Sequence, residues 1–224
     1  MGEEEKRMKR VMVTFDVDGT LIKSTGNSSN RLHRQAFSHA FYQVFGLKDV
    51  SIDAIQVALE RLPDLKARMI EYAKEHAQNI GEGLEVLPGV SSLLDALSSK
   101  GVSIGLVTGN LEEIAWMKME GLGIQKYFTI PKFGGFGTDH TERGELIKIA
   151  ANRANKLYPD GFDLRVHVGD TPNDIRAAEN GGALAIGVCT GVFTAEELQK
   201  ASNGNAVILP DLTNAEAFLK LLGI

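Results

Sequence analysis

The chain has 224 residues, 43% of them hydrophobic and 24% charged, with a net charge of −5 and an isoelectric point near 5.6. That length holds one large domain, or one domain carrying a smaller one, and the acidic balance argues against nucleic acid as a default partner, because binding a phosphate backbone needs clustered Lys and Arg. The single cysteine, Cys189, rules out an internal disulfide and sits in the apolar run ALAIGVCTG as a small hydrophobe.

The chain opens on the charged MGEEEKRMKR, followed by an apolar stretch of five residues, VMVTF at 11. Five residues are too few for a signal-peptide core or a membrane span, so no membrane partner and a cytoplasmic location are expected. VMVTF itself predicts a strand. From 24 to 86 no strand is predicted. Leu32, Ala36, Ala40, Phe41, Val44 and Phe45 recur at helical spacing, so NRLHRQAFSHAFYQVFG predicts an amphipathic helix ended by Gly46. SIDAIQVALERL and PDLKARMIEYAKEHAQNI predict further helices, the latter with proline in its first turn. LPGV at 87–90 returns the chain to a series of short, nearly continuous apolar runs: VSIGLV at 102, YFTI at 127, RVHV at 165, ALAIGV at 183 and AVIL at 206. Runs of that kind suit parallel strands buried on both faces. Helical stretches separate them, among them LEEIAWMKMEGLG and ERGELIKIAANRANKLY. The expected fold is therefore α/β, a doubly wound parallel sheet, with 1–23 and 87–224 as the core domain and 24–86 as a helical insertion after the first strand.

Ligands of open α/β sheets bind at the carboxyl ends of the strands. Three strand ends carry unusual polar residues: Asp16 and Asp18 after VMVTF, Thr108 and Asn110 in the TGN after VSIGLV, and Asp170 and Asp174 in GDTPND after RVHV. If those strands are neighbours, four carboxylates and a hydroxyl meet in one crevice. Carboxylates that close need a cation, and an all-oxygen set suits a hard divalent ion, typically Mg²⁺ where phosphate is also bound. No Cys/His cluster suggests zinc. The alternatives are that Asp174 is a first-turn helix residue and Asn110 a plain helix N-cap.

DVDGTL, VTGN and GDTPND resemble, in order and strand context, the first, second and fourth motifs of the haloacid dehalogenase superfamily of phosphohydrolases, in its phosphatase and phosphoglucomutase-like branch with a small helical cap. The resemblance covers essentially the whole chain. It implies that Asp16 is the nucleophile forming an aspartyl-phosphate, and that Asp18 is the general acid/base. It also implies that Asp16, Asp170 and the main-chain carbonyl of Asp18 surround Mg²⁺ with support from Asp174. Thr108, Gly109 and Asn110 would hold the phosphoryl group at the start of the following helix. Gly19 would permit the sharp turn after the nucleophile, with Thr20 as its hydroxyl support. The family's lysine in a Lys-Pro dipeptide is missing. Arg143 in TERGEL stands at the matching place and is favoured as phosphate ligand, with Lys132 as the alternative.

KFGGFGTDH at 132–140 lacks the position and spacing of a dinucleotide fingerprint and is expected to be a flexible loop at the site edge. The five histidines, His33, His39, His76, His140 and His167, are expected in surface or packing roles. The expected activity is a Mg²⁺-dependent phosphatase acting on a small phosphorylated metabolite, with a phosphomutase of the same superfamily as the alternative. Polar insertion residues such as Arg31 and His33 are expected to influence the choice of ester. A phospho-accepting receiver module fits less well, because its aspartate follows the third strand and it carries no insertion of about sixty residues. A binding protein that has lost catalysis fits less well too, given the complete carboxylate set. Oligomeric state is left open.

Overall fold

The structure, a computed structural model, describes residues 9–25, 31–46 and 61–224, and of residues 31–33 the backbone only. The helix expected at SIDAIQVALERL falls almost wholly outside the described residues, as do the side chains of Arg31 and His33. In chain order come β1 (Val11–Phe15), β2 (Ile22–Ser24), α1 (Arg31–Phe45), α2 (Leu62–Glu75), β3 (Leu84–Val86), α3 (Val90–Ser99), β4 (Ser103–Thr108) and α4 (Glu112–Gly121). They are followed by β5 (Gly134–Phe136), α5 (Arg143–Leu157), β6 (Leu164–Gly169), α6 (Pro172–Asn180), β7 (Leu184–Val188), α7 (Ala195–Ala201), β8 (Val207–Leu209) and α8 (Ala215–Leu222).

Six strands form one parallel sheet in the order β5-β4-β1-β6-β7-β8. β1 lies inside it, and all five of its residues are buried. Val11, Val13 and Phe15 face a core shared with Leu93, Leu94 and Leu97 of α3 and Phe218 of α8, while Met12 points the other way, against Ala151 and Ala154 of α5. Both faces of the strand are therefore covered, which is why it reads as an unbroken apolar run. Each fully buried side chain of this size contributes roughly 1.5–3 kcal/mol. The register aligns Phe15, the last residue of β1, with Leu106 of β4 and with Val168 of β6, so β4 and β6 run two residues and one residue past it at the same edge. β1 is where the strand order reverses: β4 and β5 lie to one side, and β6, β7 and β8 to the other. Loops leaving either side of such a switch point part and open a crevice at the carboxyl edge.

Three expectations are corrected. The stretch 24–86 does contain strand: Ser24 belongs to β2 and Leu84–Val86 form β3, and the two strands pair antiparallel in a small separate sheet, Ile22 opposite Val86. Three residues apiece show no period, and only the pairing across some sixty intervening residues makes them strands. Between them α1 and α2 pack through Ala36, Ala40, Phe41, Leu65 and Met69, in a cluster that also takes in Leu111 and Ile114 at the start of α4.

The strand expected at YFTI is absent. Gln125–Tyr127 form a 3₁₀ turn, and Phe128 is buried edge-on against Trp116 at 5.3 Å. The edge strand is instead β5, inside the segment expected to be a flexible loop. Glycine was misleading there. A Cβ on Gly135 would collide with the backbone of Leu146 in α5, so the residue is glycine because strand and helix approach closely, not because the chain is loose.

Candidate active site

Asp16 leaves β1 with its N–H donated to the carbonyl of Val168 at 2.9 Å, which ties the first residue past the strand to the neighbouring β6. Asp170 leaves β6 one residue beyond its end, and Asp174 follows on the first turn of α6. The three carboxylates converge. Each offers an oxygen within 4.8 Å of the others, and all three residues are buried. Gly19 has φ +91°, and a Cβ there would lie inside the Asp170 carboxylate, so the turn after Asp18 admits only glycine on two counts. The Thr20 hydroxyl donates to Asp170 Oδ1 at 3.0 Å, so it supports Asp170 rather than Asp16. Thr190, which sequence reasoning did not single out, donates to the Gly19 carbonyl at 2.6 Å and holds the same turn from the other side.

Asp174 has two functions at once. Its Oδ2 accepts from the N–H and hydroxyl of Thr171, at 3.0 and 2.6 Å, completing a capping box at the start of α6. Its Oδ1 faces the cluster, 2.9 Å from Arg143 Nε and 3.4 Å from His167 Nε2. The helix-start reading of this residue therefore holds on one oxygen, while the other oxygen faces the carboxylate cluster. His167 is buried in β6, as a packing role implies, and also reaches the site through polar contacts. Its buried ring lies between Thr14 Oγ1, 3.1 Å from Nδ1, and Asp174, and burial pushes its pKa down. The only sequence signal for it was a polar residue between two valines.

Arg143, at the start of α5, is the cation that reaches the cluster. Its guanidinium pairs with Asp16 through Nη2 and with Asp174 through Nε. Lys132 lies elsewhere, its ammonium 5.1 Å from the centre of the Trp116 ring. On its outer side Arg143 lines a cleft of about 570 Å³, together with Gly109, Gly137, His140, Asn173 and Arg176.

Asp18 does not join the other three. Its carboxylate accepts from Lys118 Nζ on both oxygens at 2.9 Å and from Asn110 Nδ2 at 2.8 Å. Asn110 also donates to Thr108 Oγ1 at 2.9 Å, and the N-cap of α4 is Leu111, so the N-cap reading of Asn110 fails. The expected convergence of four carboxylates is thus three carboxylates plus one that is separately neutralised. Lys118 was missed: in sequence it is one lysine on a helix with no clear apolar face, and nothing local marks it as buried.

Electrostatics follow from this crowding. Burial raises Asp16 to about 8, helped by the Asp174 charge and opposed by Arg143. Burial also raises Asp170 to about 6, against the hydrogen bond from Thr20. Burial alone would raise Asp174 too, but the contact with His167 and the Arg143 charge hold it below the usual carboxylate value. Raised carboxylates in an all-oxygen cluster indicate a site short of positive charge, and that donor set fits a hard divalent cation.

A parallel sheet with buried carboxylates and an arginine gathered at the carboxyl ends of its central strands defines an α/β enzyme of the strand-end aspartate type. The profile of haloacid dehalogenase-like hydrolases matches residues 12–182, and the chain belongs to that family. It is 28% identical over 202 residues, 86% of this chain and 89% of the other, to a Clostridium perfringens protein named "Putative pyrophosphatase PpaX". It is 26% identical over 211 residues, 80% of this chain and 81% of the other, to the phosphoglycolate phosphatase of Salmonella choleraesuis. A hydrolase from Pseudomonas syringae shares the fold with a TM-score of 0.62 at 17% identity, covering 95% of this chain and 99% of its own. Among the described residues no helix is long and apolar enough to cross a membrane.

Proposed function

We propose that this chain is a Mg²⁺-dependent phosphatase that hydrolyses a small phosphorylated metabolite through an aspartyl-phosphate on Asp16. The observation that carries the reading is the placement of Asp16 at the end of β1, beside Asp170, Asp174 and Arg143, with Asp18 two residues on and held outside the cluster. The names of the relatives support the substrate class, and make 2-phosphoglycolate and pyrophosphate the first esters and anhydrides to test.

In this reading the Asp18 carboxylate takes up a proton as the phosphate ester binds, an Asp16 oxygen attacks phosphorus, the bond to the leaving oxygen breaks, and that oxygen takes the proton from Asp18. Water then attacks the aspartyl-phosphate, gives its proton to the Asp18 carboxylate, and releases phosphate and free Asp16. Arg143, the Thr108 hydroxyl and the N–H of Gly109 hold the phosphoryl oxygens, and Asn110, which donates to Thr108 Oγ1 from both its main-chain N–H and its side-chain amide, fixes that loop. Asp16, Asp170 and Asp174, with the Asp18 carbonyl, would hold Mg²⁺, which when bound supplies charge that offsets the carboxylates and the phosphoryl oxygens.

The segment 24–86 is proposed as a cap. Lys66 of α2 reaches across to donate to the Gly137 carbonyl at 2.7 Å, and Gly137 in turn donates its N–H to the Asn110 carbonyl. This contact joins the insertion to the phosphate loop, a suitable place for choosing among esters. A cytoplasmic location and the absence of a nucleic-acid or membrane partner belong to the same proposal.

The test is phosphate release from 2-phosphoglycolate, pyrophosphate and p-nitrophenyl phosphate, with and without chelator. Turnover is expected to vanish in excess chelator and return with Mg²⁺. Full turnover after rigorous chelation overturns the metal assignment, and no phosphate from any of a broad panel overturns the phosphatase.

A second measurement needs no substrate. Asp16 and Asp170 keep protons in the folded protein where the unfolded chain, near 3.8, has lost them. The stability they lend is therefore full below about pH 4 and is lost as pH rises through about 6 and about 8. Metal-free protein should melt progressively lower from about pH 5 to about pH 8. Mg²⁺ binds the ionised carboxylates, so it should raise the melting temperature more at about pH 8 than at about pH 5. An equal Mg²⁺ shift at both pH values, or none, contradicts this account of the cluster.

A further inference from the structure

Lys118 is a charged residue in an apolar setting. It lies in the last turn of α4 with 2% of its surface exposed, on a helix whose other buried residues are Ile114, Ala115, Trp116 and Met119. An ammonium carries three donors, and here all three have acceptors: both oxygens of Asp18 at 2.9 Å and Asn110 Oδ1 at 3.1 Å. Asp18 itself is more open, its side chain 37% exposed against 3% for the lysine. The charge is thus buried on the lysine side and meets the site on the aspartate side.

Stability alone is a poor reason for such a pair. Taking an ammonium out of water is costly, and a buried ion pair is often no better than apolar side chains of the same volume. A leucine or methionine at 118 would continue the buried face of α4. The geometry suggests a different use. Asp16, Asp170 and Asp174 gather around one point, and Asp18, two residues from Asp16, has a carboxylate that could turn towards that point as another oxygen donor. Lys118, with Asn110, holds it away.

We propose that Lys118 is a positioning residue for proton transfer: it keeps the Asp18 carboxyl on the leaving-group side of the site and out of the carboxylate cluster, holding one oxygen while the other takes up, as the ester binds, the proton that the leaving oxygen receives. The proposal rests on the reading of Asp16 as nucleophile and Asp18 as general acid/base. Lys118 touches neither substrate nor phosphorus in this scheme and acts only through Asp18. Its removal should therefore matter most where the leaving oxygen needs a proton. An alkyl leaving group needs one, whereas p-nitrophenolate departs without one.

The experiment compares wild type, Lys118→Met, Asp18→Asn and the double variant by rapid quench, following phosphoenzyme formation from p-nitrophenyl phosphate, phenyl phosphate and an alkyl ester such as 2-phosphoglycolate. Lys118→Met is expected to slow phosphorylation by the alkyl ester by about tenfold to a hundredfold, within the usual range of general acid catalysis, and phosphorylation by p-nitrophenyl phosphate by no more than about threefold. The double variant should be no slower than Asp18→Asn. Equal slowing with all three esters, or a double variant slower than Asp18→Asn by the full Lys118→Met factor, overturns the proposal. Methionine keeps the length of lysine and suits the apolar neighbours. Should that variant melt below the assay temperature, Lys118→Gln and its double with Asp18→Asn give the same comparison. The underlying reading fails separately: wild type forming no phosphoenzyme refutes Asp16 as nucleophile, and Asp18→Asn with unchanged leaving-group dependence refutes Asp18 as the acid, whatever Lys118 does.

Discussion

Replacing Asp16 by asparagine is expected to abolish both turnover and the phosphoenzyme while leaving the fold in place. The amide has the size of the carboxylate but no oxygen able to attack phosphorus and carry it as an acyl phosphate. The fold should tolerate the change because Asp16 is a strained carboxylate. Burial and the Asp174 charge together raise it to about 8, so folding at neutral pH costs the uptake of a proton, a cost that a neutral amide avoids. Its amide oxygen can still accept from Arg143, and the main-chain bond to Val168 is untouched. Metal-free Asp16→Asn should therefore melt within a few degrees of wild type, and at neutral pH no lower. The measurements are phosphate release, acid-quenched labelling with a phosphate ester, and thermal melting. A phosphoenzyme trapped on this variant at another residue would overturn the assignment of the nucleophile.

Loss of Arg143 should have the next largest effect. Arg143→Ala is expected to lower kcat/KM by about a hundredfold to a thousandfold, the usual result of removing one fixed donor from a developing anion. Two effects combine. The phosphoryl group loses a planar cationic partner, and Asp16 and Asp174 lose the guanidinium that bridges them. Arg143→Lys should recover part of the loss, since an ammonium restores the charge but cannot meet two carboxylates through a rigid fork. Lys132→Ala is the control. That lysine sits over Trp116 rather than beside the carboxylates, and its removal should change kcat/KM by less than about twofold. If Arg143→Ala retains wild-type kcat/KM, the arginine is only a structural counter-ion and the phosphate is held by other groups.

Much of the fold was legible because the sheet is parallel and buried on both faces. The runs VMVTF, VSIGLV, RVHV and ALAIGV are nearly continuous rather than alternating, as suits inner strands, and all four are strands of the six-stranded sheet. The failures lie at its margins. YFTI has the composition of a strand but is spent on packing Phe128 against Trp116, while GGF, with the composition of a loop, supplies the edge strand because α5 leaves no room there for side chains. β2 and β3 were illegible for want of length.

The candidate site divides along the same line. By itself the sequence determined which carboxylates lie at strand ends, because Asp16 and Asp170 directly follow apolar runs and Asp174 opens a helix after one of them. It also determined that such a set needs positive charge. Only the tertiary structure decided which cation serves which carboxylate. Arg143 comes to Asp16 across 127 residues and Lys118 to Asp18 across 100, distances over which local pattern carries no information. The register of β1 against β4 and β6 sets the level at which the aspartates emerge. The packing of α4 and α5 against the sheet then decides which of their side chains reach that level. A lysine's burial depends on what covers its helix, and that is a property of the assembled fold, not of the residues on either side.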